Sequence, residues 1–157
     1  MASDPVTLNE FLTERLGSGG VVDDPNDLPR YTTDWAGDHR GKPLLVARPR
    51  TTEEVAEIVA HCHCHGIPMV AQGGHTGLVG GAQPDAERPE LVISLERLNR
   101  IREIDPLNFT ISVDAGCVLQ LVKDAAMEHD CDFPLSLGAQ ASCQIGGNVS
   151  TNAGGLN

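Results

Sequence analysis

Two glycine-rich segments hold the residues of this sequence best suited to chemistry. The first is Gln72-Gly73-Gly74-His75-Thr76-Gly77-Leu78-Val79-Gly80-Gly81, which directly follows the apolar run Ile67-Pro68-Met69-Val70-Ala71. Its glycines let successive backbone N–H groups converge without obstruction by Cβ atoms, a geometry that suits a diphosphate. Thr76 adds a hydroxyl donor. Five glycines within nine positions, bounded by apolar residues, argue against a mere flexible linker. The loop lacks glycines at i, i+2 and i+5, which excludes the nicotinamide-type fingerprint, and no Gly-Lys-Ser/Thr follows it, which excludes a P-loop. The second segment, Gly146-Gly147-Asn148-Val149-Ser150-Thr151-Asn152-Ala153-Gly154-Gly155, ends two residues before the last residue given, so the reading here is of a domain truncated at its C-terminus.

Other chemically suggestive residues have simpler explanations. His61-Cys62-His63-Cys64-His65 has the composition of a metal tract, but alternate residues of a helix point to different faces, leaving only the His61 and His65 pair able to share an ion. A solvated helix end is the better reading. Tyr31 and Trp35 are read as pinning a loop onto the core rather than stacking on a ligand, and Arg97 as a surface or salt-bridge residue. Cys117 and Cys143 have neither a neighbouring base nor CxxC spacing and are read as small packing residues.

The elements that must position the glycine segments are legible from periodicity. Thr7-x-x-Glu10 reads as a capping box ahead of Leu8, Phe11, Leu12 and Leu16, giving a first helix stopped by Gly17. Residues 21–42, rich in Asp, Pro and Gly, read as an extended connection. Leu44-Leu45-Val46-Ala47 then forms a strand. Thr51-x-x-Glu54 caps a helix with Val55, Ile58, Val59 and Cys62 on its apolar face, and Gly66 ends it before the strand that leads into the glycine loop. Strand, helix, strand predicts parallel neighbours joined by a right-handed crossover. A strand over Leu91-Val92-Ile93-Ser94-Leu95, a hairpin turning at Asp105-Pro106-Leu107-Asn108, and a helix with Val118, Leu121, Val122 and Ala125 inward complete the pattern.

Bulk properties narrow the function. The 157 residues suffice for one domain or part of one, and a formal charge of -11 disfavours nucleic acid and anionic membrane surfaces as partners. There is no apolar stretch of membrane-spanning length and no export signal near Met1, and an odd set of five cysteines favours free thiols. A cytoplasmic location is the expectation.

The order of Tyr31-Thr32-Thr33-Asp34-Trp35, Ala47-Arg48-Pro49-Arg50-Thr51-Thr52-Glu53-Glu54-Val55 and the first glycine loop resembles the FAD-linked oxidases of the vanillyl-alcohol oxidase/p-cresol methylhydroxylase (PCMH) superfamily. Ile93 to Ile101, Asp114 to Gln120 and Gly146 to Gly155 resemble its D-2-hydroxyglutarate, D-lactate and glycolate dehydrogenase branch. The resemblance implies an α+β fold, a PCMH-type FAD-binding domain of two small α/β subdomains, with residues 1–30 an N-terminal helix and connection and residues 31–157 the N-terminal part of that domain.

It further implies that FAD is held by Gly73, Gly74, His75, Thr76, Gly77 and Gly80 around the diphosphate, and by Leu137, Gly138, Ser142, Gly146, Gly147, Asn148, Asn152, Ala153 and Gly154 on the other side. The complete enzyme is then expected to oxidise a D-2-hydroxyacid to a 2-oxoacid by hydride transfer to FAD and to pass electrons to an acceptor. The resemblance places the catalytic residues outside this chain. Relatives with a histidine in a similar loop attach it covalently to flavin, so a covalent-FAD sugar or alcohol oxidase is the first alternative. A noncatalytic nucleotide-binding module is the second.

Overall fold

The computed structural model describes residues 5–155. The elements follow in the order α1 (Pro5–Leu16), β1 (Val21–Val22), α2 (Pro29–Thr32), β2 (Pro43–Ala47), α3 (Thr52–His65), β3 (Met69–Gln72), β4 (Glu90–Ser94), β5 (Ile101–Asp105), β6 (Thr110–Val113), α4 (Leu119–Met127) and α5 (Ile145–Ser150). β1 to β4 form one sheet in the order β1-β2-β4-β3, and β5 and β6 pair separately as an antiparallel hairpin. This mixture of parallel and antiparallel pairing is the expected α+β architecture.

The sheet differs from the sequence expectation in one instructive way. β2 and β3 are parallel and joined through α3, but they are not neighbours, because β4 inserts between them and pairs parallel with both. β4 is the most buried strand of the sheet, with Leu91 and Val92 fully buried, and a run buried on both faces belongs at a sheet's centre. The period-2 alternation divides its residues cleanly. Leu45, Ala47, Leu91 and Ile93 pack with Leu8, Leu12 and Leu16 of α1 and with Ile58 and Cys62 of α3, while Val46 and Val92 pack on the opposite face with Val22 and Tyr31.

Helix termini follow local chemistry. The Thr51 hydroxyl accepts from the Glu54 N–H at 3.1 Å, and the Glu54 carboxylate reaches back to the Arg50 N–H at 2.6 Å. Gly66 closes α3 in the left-handed conformation with φ 64°, as expected of a helix C-terminus. Thr7, in contrast, lies inside α1 rather than ahead of it, because Pro5 is well suited to the first turn. The connection over residues 21–42 is not wholly extended, since it contains β1, antiparallel to β2, and the short helix α2. Two helical faces are narrower or rotated relative to expectation: Val59 is exposed on α3, and α4 buries Leu119, Val122 and Ala126 while Leu121 faces solvent. The buried stripe of α4 lies one residue beyond the expected Val118, Leu121 and Ala125, and shares only Val122 with the expected face.

The histidine tract behaves as a helix end. His61 stacks on Phe11 with ring centroids 3.8 Å apart, His65 stacks on His61, and the described residues contain no cluster able to hold a metal. Trp35 overturns its expectation, being 80% exposed in the loop after Asp34, whereas Tyr31 is buried. A turn closed by the Gly37 N–H donating to the Asp34 carbonyl carries the indole outward. Arg97, expected at the surface or in a salt bridge, is half-buried and donates instead to the Gly19 and Arg48 carbonyls. Cys117 and Cys143 are buried packing residues.

At the junction of β4 with the hairpin, Asp114 is buried and accepts from the Arg100 backbone N–H, the Arg100 Nε at 3.2 Å and the Arg102 Nε at 2.5 Å. Burial alone pushes its carboxyl up, but the two arginines outweigh this and hold it below the usual carboxylate range. A folded-state pKa below the unfolded one gives a contribution present above about pH 4 and lost as pH falls through the lowered value. Replacing Asp114 with Ala is expected to destabilise the protein by roughly 2–3 kcal/mol in urea titration at neutral pH and to flatten the acid limb of its stability profile. An unchanged acid limb would refute the assignment.

Candidate cofactor site

The site begins where β3 ends. Gln72 is buried, and its Nε2 donates to the Tyr31 carbonyl at 3.0 Å and to the Ala82 carbonyl at 2.9 Å, so one side chain ties the start of the glycine loop to its return. Between these ends, none of the backbone N–H groups of residues 74–81 donates a hydrogen bond to another described residue. Backbone donors must be satisfied by water or by a ligand when the protein does not do so. A run of unclaimed amides is therefore an acceptor-seeking surface, as the loop composition predicted.

Backbone contact locks this loop against the second glycine segment. A Cβ on Gly74 would stand 2.0 Å from the Ser142 carbonyl oxygen and 2.9 Å from the Cys143 Cα, so only glycine admits the approach. The segment after Cys143 is held in turn by an isolated bridge between Val118 and Gln144, and by the Gly146 N–H donating to the Ala115 carbonyl at 2.7 Å. An open cleft of about 220 Å³ lies where the segments meet. Gly73, Gly74 and His75 line it from the first, Ser142 and Gln144 from the second, Ser94 from the end of β4, and Arg30, Tyr31 and Glu96 complete it. This is below the usual 300–1,000 Å³ of a small-molecule pocket, which fits one portion of an extended ligand.

The charged edge of the cleft is internally balanced. The Glu96 carboxylate accepts from the Tyr31 hydroxyl at 2.7 Å and Arg30 Nη2 at 3.0 Å, and forms an ion pair with Arg48, whose Nε stands 2.5 Å away. Burial and the Glu96 contact push the Tyr31 phenol up, keeping it neutral. The Tyr31 contact raises Arg30, which also lies over the Tyr31 ring at 4.5 Å. An acidic chain thus presents a fixed cation beside its unclaimed amides.

His75 adopts φ 60°, a left-handed conformation. Its Nδ1 stands 3.1 Å from the Arg30 carbonyl, which can only accept, so Nδ1 carries a proton; Nε2 contacts the Gln83 side-chain amide. Both ring nitrogens are engaged by the protein.

Of the residues proposed from sequence, the structure brings Gly73, Gly74, His75 and Ser142 together in the cleft. Thr76 and Gly77 continue the unclaimed run, and Gly80, at φ 72°, turns against the His39 ring. Gly146, Gly147 and Asn148 lie on α5, where Gly147 faces open space and the Asn148 side chain reaches the Cys143 sulfur at 3.5 Å. Leu137, Gly138, Asn152, Ala153 and Gly154 flank α5 without lining the cleft. Sequence reasoning missed Gln72, Ser94, Glu96 and Gln144. Gln144 had a signal, being an amide side chain directly before the Ile145-Gly146-Gly147-Asn148 turn. A second and larger cleft lies between the start of α3 and Arg100 and Arg102, but the Nε atoms of both arginines are committed to Asp114.

Gly74→Ala is expected to force the two segments apart and weaken FAD uptake by about tenfold or more, measured by flavin fluorescence, while Gly77→Ala, whose Cβ meets nothing within 4 Å, changes it far less. Equal effects of the two substitutions would refute the locking role of Gly74.

The model of the FAD binding domain family matches residues 43–157. The chain is 41% identical over 143 residues to the mitochondrial D-2-hydroxyglutarate dehydrogenase of Bos taurus, an alignment covering 91% of this chain and 26% of that protein. It is 38% identical over 146 residues to the mitochondrial D-2-hydroxyglutarate dehydrogenase of Arabidopsis thaliana, covering 93% and 26%. The chain thus spans about a quarter of the length of these relatives. Among solved structures, an alkyldihydroxyacetonephosphate synthase superposes with a TM-score of 0.86 at 18% identity over 98% of this chain and 33% of that one. A p-cresol methylhydroxylase superposes with a TM-score of 0.74 at 23% identity, over 92% and 28%. The mitochondrial relatives overturn the expected cytoplasmic location. Free thiols fit any reducing compartment and do not separate cytosol from mitochondrion. Among the described residues, no helix is long and apolar enough to cross a membrane. From the family match over residues 43–157, on a fold shared with solved PCMH-type structures, the chain belongs to the FAD binding domain family and its cofactor is FAD.

Proposed function

We propose that the complete protein oxidises a D-2-hydroxyacid to its 2-oxoacid, with this chain supplying the first part of the FAD site. The observation that carries the reading is the identity of about two residues in five with D-2-hydroxyglutarate dehydrogenases over nine-tenths of the chain. FAD, when bound, supplies the acceptor for the hydride leaving the substrate carbon. This chain's own contribution is binding and orientation. The N–H groups of residues 74–81 hold the diphosphate, with Gly73, Gly74, His75, Thr76, Gly77 and Gly80 forming the loop, and residues 31–157 make up the N-terminal part of the domain. Ser142, Gly146, Gly147 and Asn148 approach from the second segment, flanked by Leu137, Gly138, Asn152, Ala153 and Gly154.

The base that takes the hydroxyl proton and the groups that hold the substrate carboxylate belong to the remainder of the complete protein, as does the surface that meets the electron acceptor. Engagement of both His75 ring nitrogens by Arg30 and Gln83 supports noncovalent FAD.

Three outcomes test the reading, the first two on the complete protein. Acid precipitation is expected to release flavin into the supernatant; colour kept in the pellet would favour the covalent oxidase. Anaerobic addition of D-2-hydroxyglutarate is expected to bleach the flavin absorbance, while the L enantiomer leaves it unchanged. Retention of colour with every D-2-hydroxyacid tried would favour a noncatalytic binding module. Residues 1–157 alone are expected to show no hydroxyacid oxidation, and measurable turnover by them would contradict the assignment of the base elsewhere.

A further inference from the structure

Gln144 is 7% exposed, and its Oε1 is buried without a hydrogen-bond partner. A buried side-chain acceptor left unpaired is uncommon and calls for a cause. Gln144 occupies the N-cap position of α5, with φ -110° and ψ 145°, yet its side chain makes no capping bond to its own helix. The amide turns instead toward the glycine loop: a Cβ on Gly73 would meet Oε1 at 3.4 Å, and Gln144 lines the cleft beside Gly73, Gly74 and Ser142.

The backbone of Gln144 is fixed independently of that side chain. It pairs with Val118 in an isolated bridge, and the flanking Ile145 N–H donates to the Cys117 carbonyl at 2.9 Å. The amide is therefore held in place without being used to hold the fold. A donor must come from outside the described residues to satisfy Oε1. The neighbouring amides of residues 74–81 offer donors only and suit the diphosphate, which has acceptors only. Oε1 has the opposite demand.

Resting on the FAD reading above, we propose that Gln144 is a cofactor-positioning residue whose side-chain carbonyl accepts a hydrogen bond from a sugar hydroxyl flanking the diphosphate of FAD. Diphosphate and hydroxyl are then recognised by complementary groups on opposite walls of one cleft. Inorganic pyrophosphate has the first feature and lacks the second, so the two contributions are separable.

The test compares wild type, Gln144→Leu and Gln144→Met in the complete apoprotein, measuring FAD binding by flavin fluorescence, pyrophosphate by competition, and the thermal midpoint without ligand. Both variants are expected to weaken FAD binding by about tenfold or more and leave pyrophosphate competition within about twofold. The ligand-free midpoint should be equal to or above that of wild type, because a buried unpaired acceptor has been removed. Unchanged FAD affinity would overturn the proposal, as would parallel loss of FAD and pyrophosphate binding or a lowered midpoint, each of which marks Gln144 as a structural residue. Failure of the wild-type protein to bind FAD at all would instead overturn the functional reading and this inference with it.

Discussion

The contact between the Gly74 backbone and the Ser142–Cys143 backbone is the constraint on which the site depends. A carbonyl oxygen occupies the place where any other residue's Cβ would be, so the two glycine segments meet without side chains between them. Everything useful about the cleft follows from that approach. The unclaimed amides of Gly74 and His75, at the start of the run, come to stand opposite Gln144 and Ser142, and neither wall needs a lysine to attract an anion.

The sheet exists to deliver the first of these segments. β4 separates β2 from β3 and buries its side chains on both faces, which leaves the C-terminal ends of the parallel strands to carry the loops. Gln72 at the end of β3 then fixes both ends of the glycine loop, while Ser94 at the end of β4 reaches the cleft. The second segment is positioned by a different device, the bridge between Val118 and Gln144 together with the Ile145 and Gly146 N–H bonds to the Cys117 and Ala115 carbonyls. Glu96 with Tyr31, Arg30 and Arg48 braces the edge between them.

Much of this was legible in the sequence because local chemistry set it. The Thr51 cap, the Gly66 terminus and the Asp105 turn each depend on residues a few positions apart, and each formed as read. Long-range decisions were not legible. Nothing in the periodicity of residues 44–71 reveals that β4 will separate the strands flanking α3, and the outward course of Trp35 depends on a turn between Asp34 and Gly37. The phase of α4 was missed because Leu119 and Leu121 are equally apolar, and only packing chooses between them. In the site, glycine spacing signalled the amide loop, whereas Ser94 and Glu96 became visible only once the fold brought them beside it.

Hydrogen exchange of the complete protein with and without FAD tests the central claim most directly, because it reads backbone amides one segment at a time. Residues 74–81, whose N–H groups have no acceptor among the described residues, are predicted to exchange fast in the apoprotein and to gain the largest protection when FAD binds. Protection that appears elsewhere while these amides continue to exchange freely would contradict the account.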